Sequence, residues 1–216
     1  MSKLQYQEYY RRHLPHFQPR GFTFFITFRL ANSLPHEIVV SLVEETRRIE
    51  RSHSIVQLTL EAQLKLDEEW RRLFEKWDDA LHSSKCGEWH LKDDRVAAIV
   101  AKSIRFHDKD WFVLEAYSIM PNHVHLVLTP RERSESLDYS LAEIMHNIKR
   151  NSAKQANLIL NRSGSFWQHE SYDHVVRDDA ELERIVDYTL DNPVKAGLAA
   201  DWADWPWSYS KTESEV

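Results

Sequence analysis

The spacing of apolar and polar residues divides the chain into strand-like and helix-like stretches. Residues 21–30 are rich in aromatic and β-branched side chains, which predicts a strand. Residues 35–81 carry leucine and tryptophan at steps of three and four between many charges, which predicts two helices in a hairpin. Residues 111–118 are expected to form a second strand. Pro121 and Asn122 then predict a tight turn into a third strand, so these two strands should pair in antiparallel.

Three more helices and one extended piece complete the predicted order. A helix is expected over residues 93–104, where two aspartates can cap its first turn, and another over residues 140–160. After an extended piece near residue 175, a last helix should begin at residue 178 and end at Asn192 and Pro193, because proline disfavours a continuing helix. This order predicts an α+β fold, namely a ferredoxin-like (RRM-like) antiparallel sheet with helices on one face.

Two histidines stand out in the third predicted strand. His123 and His125 are two residues apart in an apolar, β-branched run, so both side chains should point to the same face of the strand. Val124 and Leu126 would then point into a core. Two imidazoles placed in this way can reach one divalent ion, although ordinary hydrogen-bonded histidines on a half-buried face would give the same pattern.

Composition limits the architecture and the compartment. With 216 residues and 42% hydrophobic content, the chain suits one domain over residues 1–216, with the charged helical hairpin at about 36–82 as an insertion. Its single cysteine, Cys86, has no partner within the chain for a disulfide. The sequence contains no apolar leader and no long uncharged apolar run. We therefore expect a cytoplasmic protein and no membrane partner.

Basic residues gather in a few segments although the formal net charge is −6. The first 30 residues hold five cations against the single acid Glu8, and they include Tyr9 and Tyr10, whose rings could stack on unpaired bases. A solvated terminus would have the same composition. The candidate DNA-binding residues are Arg11, Arg12, Arg20, Lys149, Arg150, Lys154 and Arg177. His174 is a further candidate, but His174 and Arg177 could equally support the last helix.

Tyr188 and Asn192 lie one turn apart on the last predicted helix and therefore share a face. A phenol beside a metal-bound phosphate, with an amide oxygen to complete the metal shell, is what a tyrosine nucleophile for phosphodiester cleavage requires. Each residue also has an ordinary explanation. Tyr188 could be a packing residue, and asparagine before proline is a common helix terminator.

Three motifs in this order resemble a known family. The run Met-Pro-Asn-His-Val-His-Leu-Val-Leu at residues 120–128 is similar to the HUH motif (two histidines around a hydrophobic residue) of single-tyrosine transposases. The run Phe-Trp-Gln-His-Glu-Ser-Tyr-Asp-His-Val-Val-Arg at 166–177 resembles REP-associated tyrosine transposases, as does Val-Asp-Tyr-Thr-Leu-Asp-Asn-Pro-Val-Lys-Ala-Gly at 186–197, followed by residues 204–208. The resemblance covers about residues 20–35 and 94–209.

The resemblance implies a fold, a reaction and a set of site residues. It implies that His123 and His125 bind the metal and that Tyr188 is the nucleophile on a C-terminal tyrosine helix. Asn192 stands where related insertion-sequence enzymes use glutamine as the third ligand, so the position matches and the residue type differs. Tyr172 is a rival nucleophile by residue type, but it lies on an extended segment without a polar ligand at helical spacing.

The implied activity is that of a transposase-like endonuclease and strand transferase. It would cleave single-stranded DNA that carries a palindromic, REP-like hairpin, through a 5′-phosphotyrosine intermediate and with Mg²⁺ or Mn²⁺ as cofactor. Monomer and homodimer remain open. Two other classes remain open as well: a noncatalytic nucleic-acid-binding module on the same sheet, and a metal hydrolase that uses the two histidines with a distant carboxylate.

Overall fold

The computed structural model describes residues 9–11, 15–17, 19–52, 60–84, 87–134 and 137–211. Their contacts divide into two compact units. The first contains the described residues of Met1–Ala31 and Trp89–Val216, and the second those of Asn32–Glu88. The insertion predicted at about 36–82 lies within the second unit. Arg12 and Cys86 lie outside the described residues.

The described residues form nine strands and five α-helices. The strands of the first unit are β1 (Tyr9–Arg11), β2 (Pro15–Phe17), β3 (Phe24–Leu30), β4 (Phe112–Ile119), β5 (His123–Pro130), β6 (Glu132–Ser134), β7 (Leu137–Asp138), β8 (Trp167–Val175) and β9 (Ser208–Ser210). The helices are α1 (His36–Ser52), α2 (Leu60–Ser83), α3 (Asp94–Arg105), α4 (Leu141–Ile159) and α5 (Asp179–Lys195), with short 3₁₀ turns at His90–Lys92 and Trp202–Asp204.

Five of the strands form one antiparallel sheet in the order β8-β3-β5-β4-β9. The predicted α+β fold with an antiparallel sheet is confirmed, as is the hairpin that joins β4 to β5 through Pro121 and Asn122. The short strand β9 was not predicted. It pairs with only three residues of β4, and three residues are too few to show a period-two pattern in the sequence.

One face of the sheet carries the hydrophobic core and is called here the core face. It presents Ile26 and Phe28 from β3 and Val124 and Leu126 from β5, and α3 and α4 pack against it. Asp93, Ser140 and Asp178 cap α3, α4 and α5, because each side chain accepts a hydrogen bond from a backbone N–H of the first turn. The cap at Asp93 and the helix starts near residues 140 and 178 agree with the predictions.

The opposite face is called the histidine face, since alternate residues of the same strands point to it. Phe25 and Thr27 of β3 and His123 and His125 of β5 lie there. Helix α5 packs on this face, and its Tyr188 contacts both Phe25 and His125. Helices therefore cover both faces of the sheet, with α3 and α4 on one and the tyrosine helix on the other.

The second unit is the predicted helical hairpin. Helices α1 and α2 pack through a small cluster that contains Leu42, Ile49 and Leu73. Its outer surface is covered with ion pairs, such as Lys76 with Glu45 across the two helices. Exposed pairs of this kind contribute little stability, so the apolar cluster holds the hairpin together. None of the described helices of either unit is long and apolar enough to cross a membrane.

Helix α5 does not end at Pro193 as predicted. It continues to Lys195 with the proline inside its last turn. At that position proline removes only the hydrogen bond that its own nitrogen would have donated to the carbonyl of Thr189. Ala196 donates to the Asn192 carbonyl and Gly197, with a φ of +67°, donates to the Val194 carbonyl, and these bonds close the helix after the proline.

Candidate active site on the histidine face

The two histidines of β5 approach each other through their Nε2 atoms. Both side chains are fully buried, and their Nε2 atoms lie 3.0 Å apart. Two nitrogens that each bind one ion at ~2.1 Å and at a right angle are ~3.0 Å apart, because they form two corners of an octahedron. The separation thus fits a divalent metal ion held by both rings.

Two neighbouring side chains orient the imidazoles. His123 places its Nδ1 2.6 Å from Oδ1 of Asn122, an oxygen that can only accept, so this Nδ1 carries the proton. His125 places its Nδ1 2.9 Å from the Thr27 hydroxyl, which accepts a hydrogen bond when Nδ1 carries the proton. A neutral ring with its proton on Nδ1 presents a lone pair at Nε2. The two outer hydrogen bonds therefore prepare both Nε2 atoms to bind a cation.

Tyr188 from α5 lies directly beside this pair. Its ring centroid is 5.7 Å from that of His125, with the rings nearly perpendicular, and 6.0 Å from that of Phe25. Phe25 in turn stacks on His125 at 5.6 Å. The three rings hold one another through edge-to-face and stacked contacts, which fixes the half-buried phenol near the two nitrogens.

Asn192 supplies an amide oxygen on the same face of α5. Its Nδ2 donates to the backbone carbonyl of Tyr188 at 2.7 Å, which fixes the direction of the amide. The side chain is fully buried, and its Oδ1 accepts no hydrogen bond from any residue that the structure describes. A buried acceptor without a partner is costly, and a bound cation would satisfy it. Asn192 therefore stays the candidate third ligand that the family resemblance implies.

Three residues of this site were missed in the sequence. Thr27 and Arg29 come from β3, where they pair with His125 and His123 across the strands, and pairing register is not legible from one sequence. Burial lowers the pKa of Arg29 to about 10, so its guanidinium stays charged at neutral pH on the face that carries the histidines. The sequence alone predicts only a turn at Asn122. Its position directly before His123 could also have indicated a hydrogen bond to that ring.

Tyr172 lies on the same face as the two histidines but in a different environment. It pairs with Thr27 on β8, two strands away from His125. Burial raises the pKa of the Tyr172 phenol, and the carboxylates of Asp173 and Glu181 raise it further. Tyr188, by contrast, contacts His125 directly, and this contact favours Tyr188 as the nucleophile.

The candidate DNA-binding cations have different environments. Arg150 and Lys154 are exposed on α4, and Arg20 and Arg177 are exposed in connecting segments. The Lys149 ammonium instead donates to the backbone carbonyls of Gln168, His169 and Glu170 of β8. The backbone of Arg11 lies in β1, and its side chain is not among those described.

A cavity of about 360 Å³ lies between α4 and the edge strand β8. Its walls include Ile26, Met145, His146, Arg150 and His169. Because Ile26 belongs to the core face, this cavity and the cations of α4 lie on the side of the sheet away from Tyr188. DNA that contacts both Arg150 and Tyr188 therefore has to pass around the β8 edge.

Comparisons relate the sequence and the fold to known proteins. The model of a family described as "Transposase IS200 like" matches residues 84–192, half of the chain. Among curated proteins, a putative REP-associated tyrosine transposase of Haemophilus influenzae is 30% identical over 102 residues, which are 45% of this chain and 58% of that protein. A REP-associated tyrosine transposase of Escherichia coli is 28% identical over 97 residues, 45% of this chain and 53% of that protein. The chain thus matches little more than half the length of these relatives.

A solved structure has a similar fold. It is described as a REP-associated tyrosine transposase bound to a REP hairpin. The match has a TM-score of 0.50 at 20% sequence identity and covers 92% of this chain and 80% of the other. At this identity the likeness concerns the fold.

Proposed function

Because the chain belongs to the family of IS200-like transposases, we propose that it is a metal-dependent endonuclease and strand transferase for single-stranded DNA. Its substrate would carry a palindromic, REP-like hairpin, and cleavage would proceed through a 5′-phosphotyrosine. One observation carries the proposal. The ring of Tyr188 lies 5.7 Å from that of His125, whose Nε2 faces the Nε2 of His123.

His123, His125 and Asn192 are the residues that would hold the metal. Two imidazole nitrogens and one amide oxygen suit Mg²⁺ or Mn²⁺, and the nitrogen ligands favour Mn²⁺ over Mg²⁺. When bound, the ion would polarise a non-bridging oxygen of the scissile phosphate. Asn122 and Thr27 would hold the two rings in the tautomer that can bind it.

Tyr188 would act as the nucleophile. Its phenol oxygen forms a bond to phosphorus and gives its proton to water, while the bond from phosphorus to the 3′-oxygen breaks and that oxygen takes a proton. The products are a 5′-phosphotyrosine and a free 3′-hydroxyl. Packing of the ring between Phe25 and His125 reduces its freedom, so less entropy is lost when the phosphate is aligned for in-line attack.

Strand joining needs no nucleotide cofactor in this scheme. A 3′-hydroxyl of a second DNA end attacks the phosphotyrosine, the new bond to phosphorus forms, and the phenol leaves and regains a proton. One phosphodiester is exchanged for another, so the number of ester bonds is unchanged. We expect this reaction on chromosomal DNA, and therefore in the cytoplasm at the nucleoid.

Basic residues outside the site would hold the DNA. Arg150 and Lys154 are exposed on α4, where they can contact phosphates without giving up an ion pair to any of the residues that the structure describes. Lys149 would act mainly by fixing β8, since its ammonium already donates to three carbonyls of that strand. Arg11, Arg12, Arg20 and Arg177 would contact the remaining DNA backbone.

A trapping experiment tests the proposal. The chain is incubated with Mn²⁺ and a library of single-stranded DNA hairpins, and denaturing gels show whether a protein–DNA adduct forms. We expect an adduct that survives denaturant, and peptide mapping should place the nucleotide on the Tyr188 peptide. Hairpin binding without any adduct would indicate a noncatalytic module. Repeated turnover without an adduct would indicate a metal hydrolase.

A further inference from the structure

We propose that Lys195 is a catalytic residue that binds the scissile phosphate beside Tyr188, a role that rests on the proposed function. Lys195 is the last residue of α5, seven residues and about two turns after Tyr188. Residues at this spacing share a helix face, and helical side chains lean toward the N-terminus. Its ammonium lies 4.8 Å from the centre of the Tyr188 ring.

The charge of Lys195 is not compensated within the described part of the chain. Its ammonium forms no ion pair and no hydrogen bond with any described residue, and its one described contact is the tyrosine ring. Two lysines of the chain differ in this respect, since Lys76 pairs with Glu45 and Lys211 with Glu115. Lys195 is also exposed, so an incoming anion can reach it without displacing a protein partner.

The Lys195 ammonium lies close to where the scissile phosphate must approach the phenol oxygen of Tyr188. The phenol oxygen sits on the same ring that Lys195 covers, and phosphorus must reach bonding distance of that oxygen. A non-bridging phosphate oxygen then lies within reach of the ammonium for a charge-assisted hydrogen bond of about 2.8 Å. Negative charge on these oxygens grows in the transition state, so the contact is stronger there than in the bound substrate.

Lys195 takes no part in the exchange of bonds. It donates a hydrogen bond without transferring a proton, while the phenol proton goes to water and the 3′-oxygen takes its proton from water. Its effect is electrostatic and should therefore depend on positive charge more than on the exact shape of the side chain. Arginine should replace it in large part, and an uncharged side chain of similar length should not.

The contact between the Lys195 ammonium and the Tyr188 ring could also serve only the stability of the fold. A cation in the last turn of a helix interacts favourably with the helix dipole, and a cation over an aromatic ring also stabilises the fold. Lys102 is a matched control for the first effect. It is likewise exposed and in the last turn of its helix, but α3 packs on the core face, away from Tyr188.

The test measures single-turnover adduct formation with Mn²⁺ and the hairpin oligonucleotide that gives most adduct with the wild-type chain. We expect Lys195→Met to lower the rate at saturating DNA about 100-fold, as loss of one transition-state donor does. Lys195→Arg should stay within about tenfold of wild type and Lys102→Met within about twofold. The DNA concentration at half-maximal rate should change less than about threefold in each variant.

A second measurement uses binding without cleavage. In a Tyr188→Phe background, a neutral methylphosphonate at the scissile position should weaken hairpin binding, and adding Lys195→Met should make that difference smaller, by no more than about threefold. Equal rates for Lys195→Met and Lys102→Met, or a loss that appears only in the half-maximal concentration, would overturn the assignment of Lys195. An absence of adduct in the wild-type chain would overturn the proposed function and this assignment together.

Discussion

On the core face of the sheet, Val124 and Leu126 lie among the side chains of α3 and α4, whereas on the histidine face His123 and His125 lie beside Tyr188 of α5. The four residues are consecutive in one strand. Those on the core face gain stability by leaving water, roughly 1.5–3 kcal/mol for a fully buried leucine. Those on the histidine face place lone pairs in a buried position, where hydrogen bonds or a bound ion must offset the cost. The comparison predicts that substitutions on the core face lower folding stability, whereas substitutions on the histidine face abolish or weaken adduct formation.

Tyr188→Phe should give the largest effect on chemistry. The ring and its contacts with Phe25 and His125 remain, so thermal stability and hairpin binding should stay near wild type while the adduct disappears. Tyr172→Phe is the control on the same face and should retain adduct formation. Gel assays of adduct together with melting curves check both variants. Full strand cleavage by Tyr188→Phe, or an adduct mapped to Tyr172, would show that Tyr188 is not the nucleophile and that α5 has only a structural role.

Adjacent positions of β5 allow the sharpest comparison of the two faces. His125→Ala should abolish adduct formation and keep hairpin affinity within about tenfold, because phosphate contacts provide most of the affinity. Leu126→Ala should lower the free energy of unfolding by about 2–5 kcal/mol and leave the adduct rate per folded molecule near wild type. Denaturant unfolding and adduct kinetics are measured on both. Removal of metal with a chelator should reproduce the effect of His125→Ala, and cleavage that survives either treatment would disprove the metal assignment.

Thr27→Val should have an intermediate effect. Valine keeps the volume of the side chain and removes the hydroxyl that orients Nδ1 of His125. Loss of such an outer partner costs about 10–100-fold in metal affinity. The Mn²⁺ concentration needed for half-maximal adduct formation should rise by that factor, with the maximal rate largely retained. An unchanged Mn²⁺ requirement would mean that Thr27 does not set the tautomer of His125.

Neutralising the cations of α4 should have the smallest effect. Arg150→Ala combined with Lys154→Ala should weaken hairpin binding and make the slope of log affinity against log salt less steep by about two, because two phosphate contacts are lost. The adduct rate at saturating DNA should not change, since α4 lies on the core face away from Tyr188. Fluorescence anisotropy at several salt concentrations measures the slope. An unchanged slope would exclude α4 from the DNA path.

Much of the fold was predictable because local signals fixed each element. Asp93, Ser140 and Asp178 marked the helix starts, and the period of two placed His123 and His125 on one face. The hydrogen bond from Thr27 to His125 was not predictable, because 98 residues separate the two and strand register depends on tertiary packing. Lys195 was missed for a related reason. Pro193 was expected to end the helix, which hid the fact that the face shared by Tyr188 and Asn192 continues to residue 195.

The parts of the site are synthesised far apart in time. Thr27 is made before His125 and His125 before Tyr188, and α5 can dock only on a sheet that already contains β3 and β5. Loop closure over such separations is slow compared with the formation of a single helix. A growing chain on the ribosome therefore lacks a complete site until α5 has been made. A product that stops after β5 would carry both histidines and lack Tyr188, the proposed nucleophile.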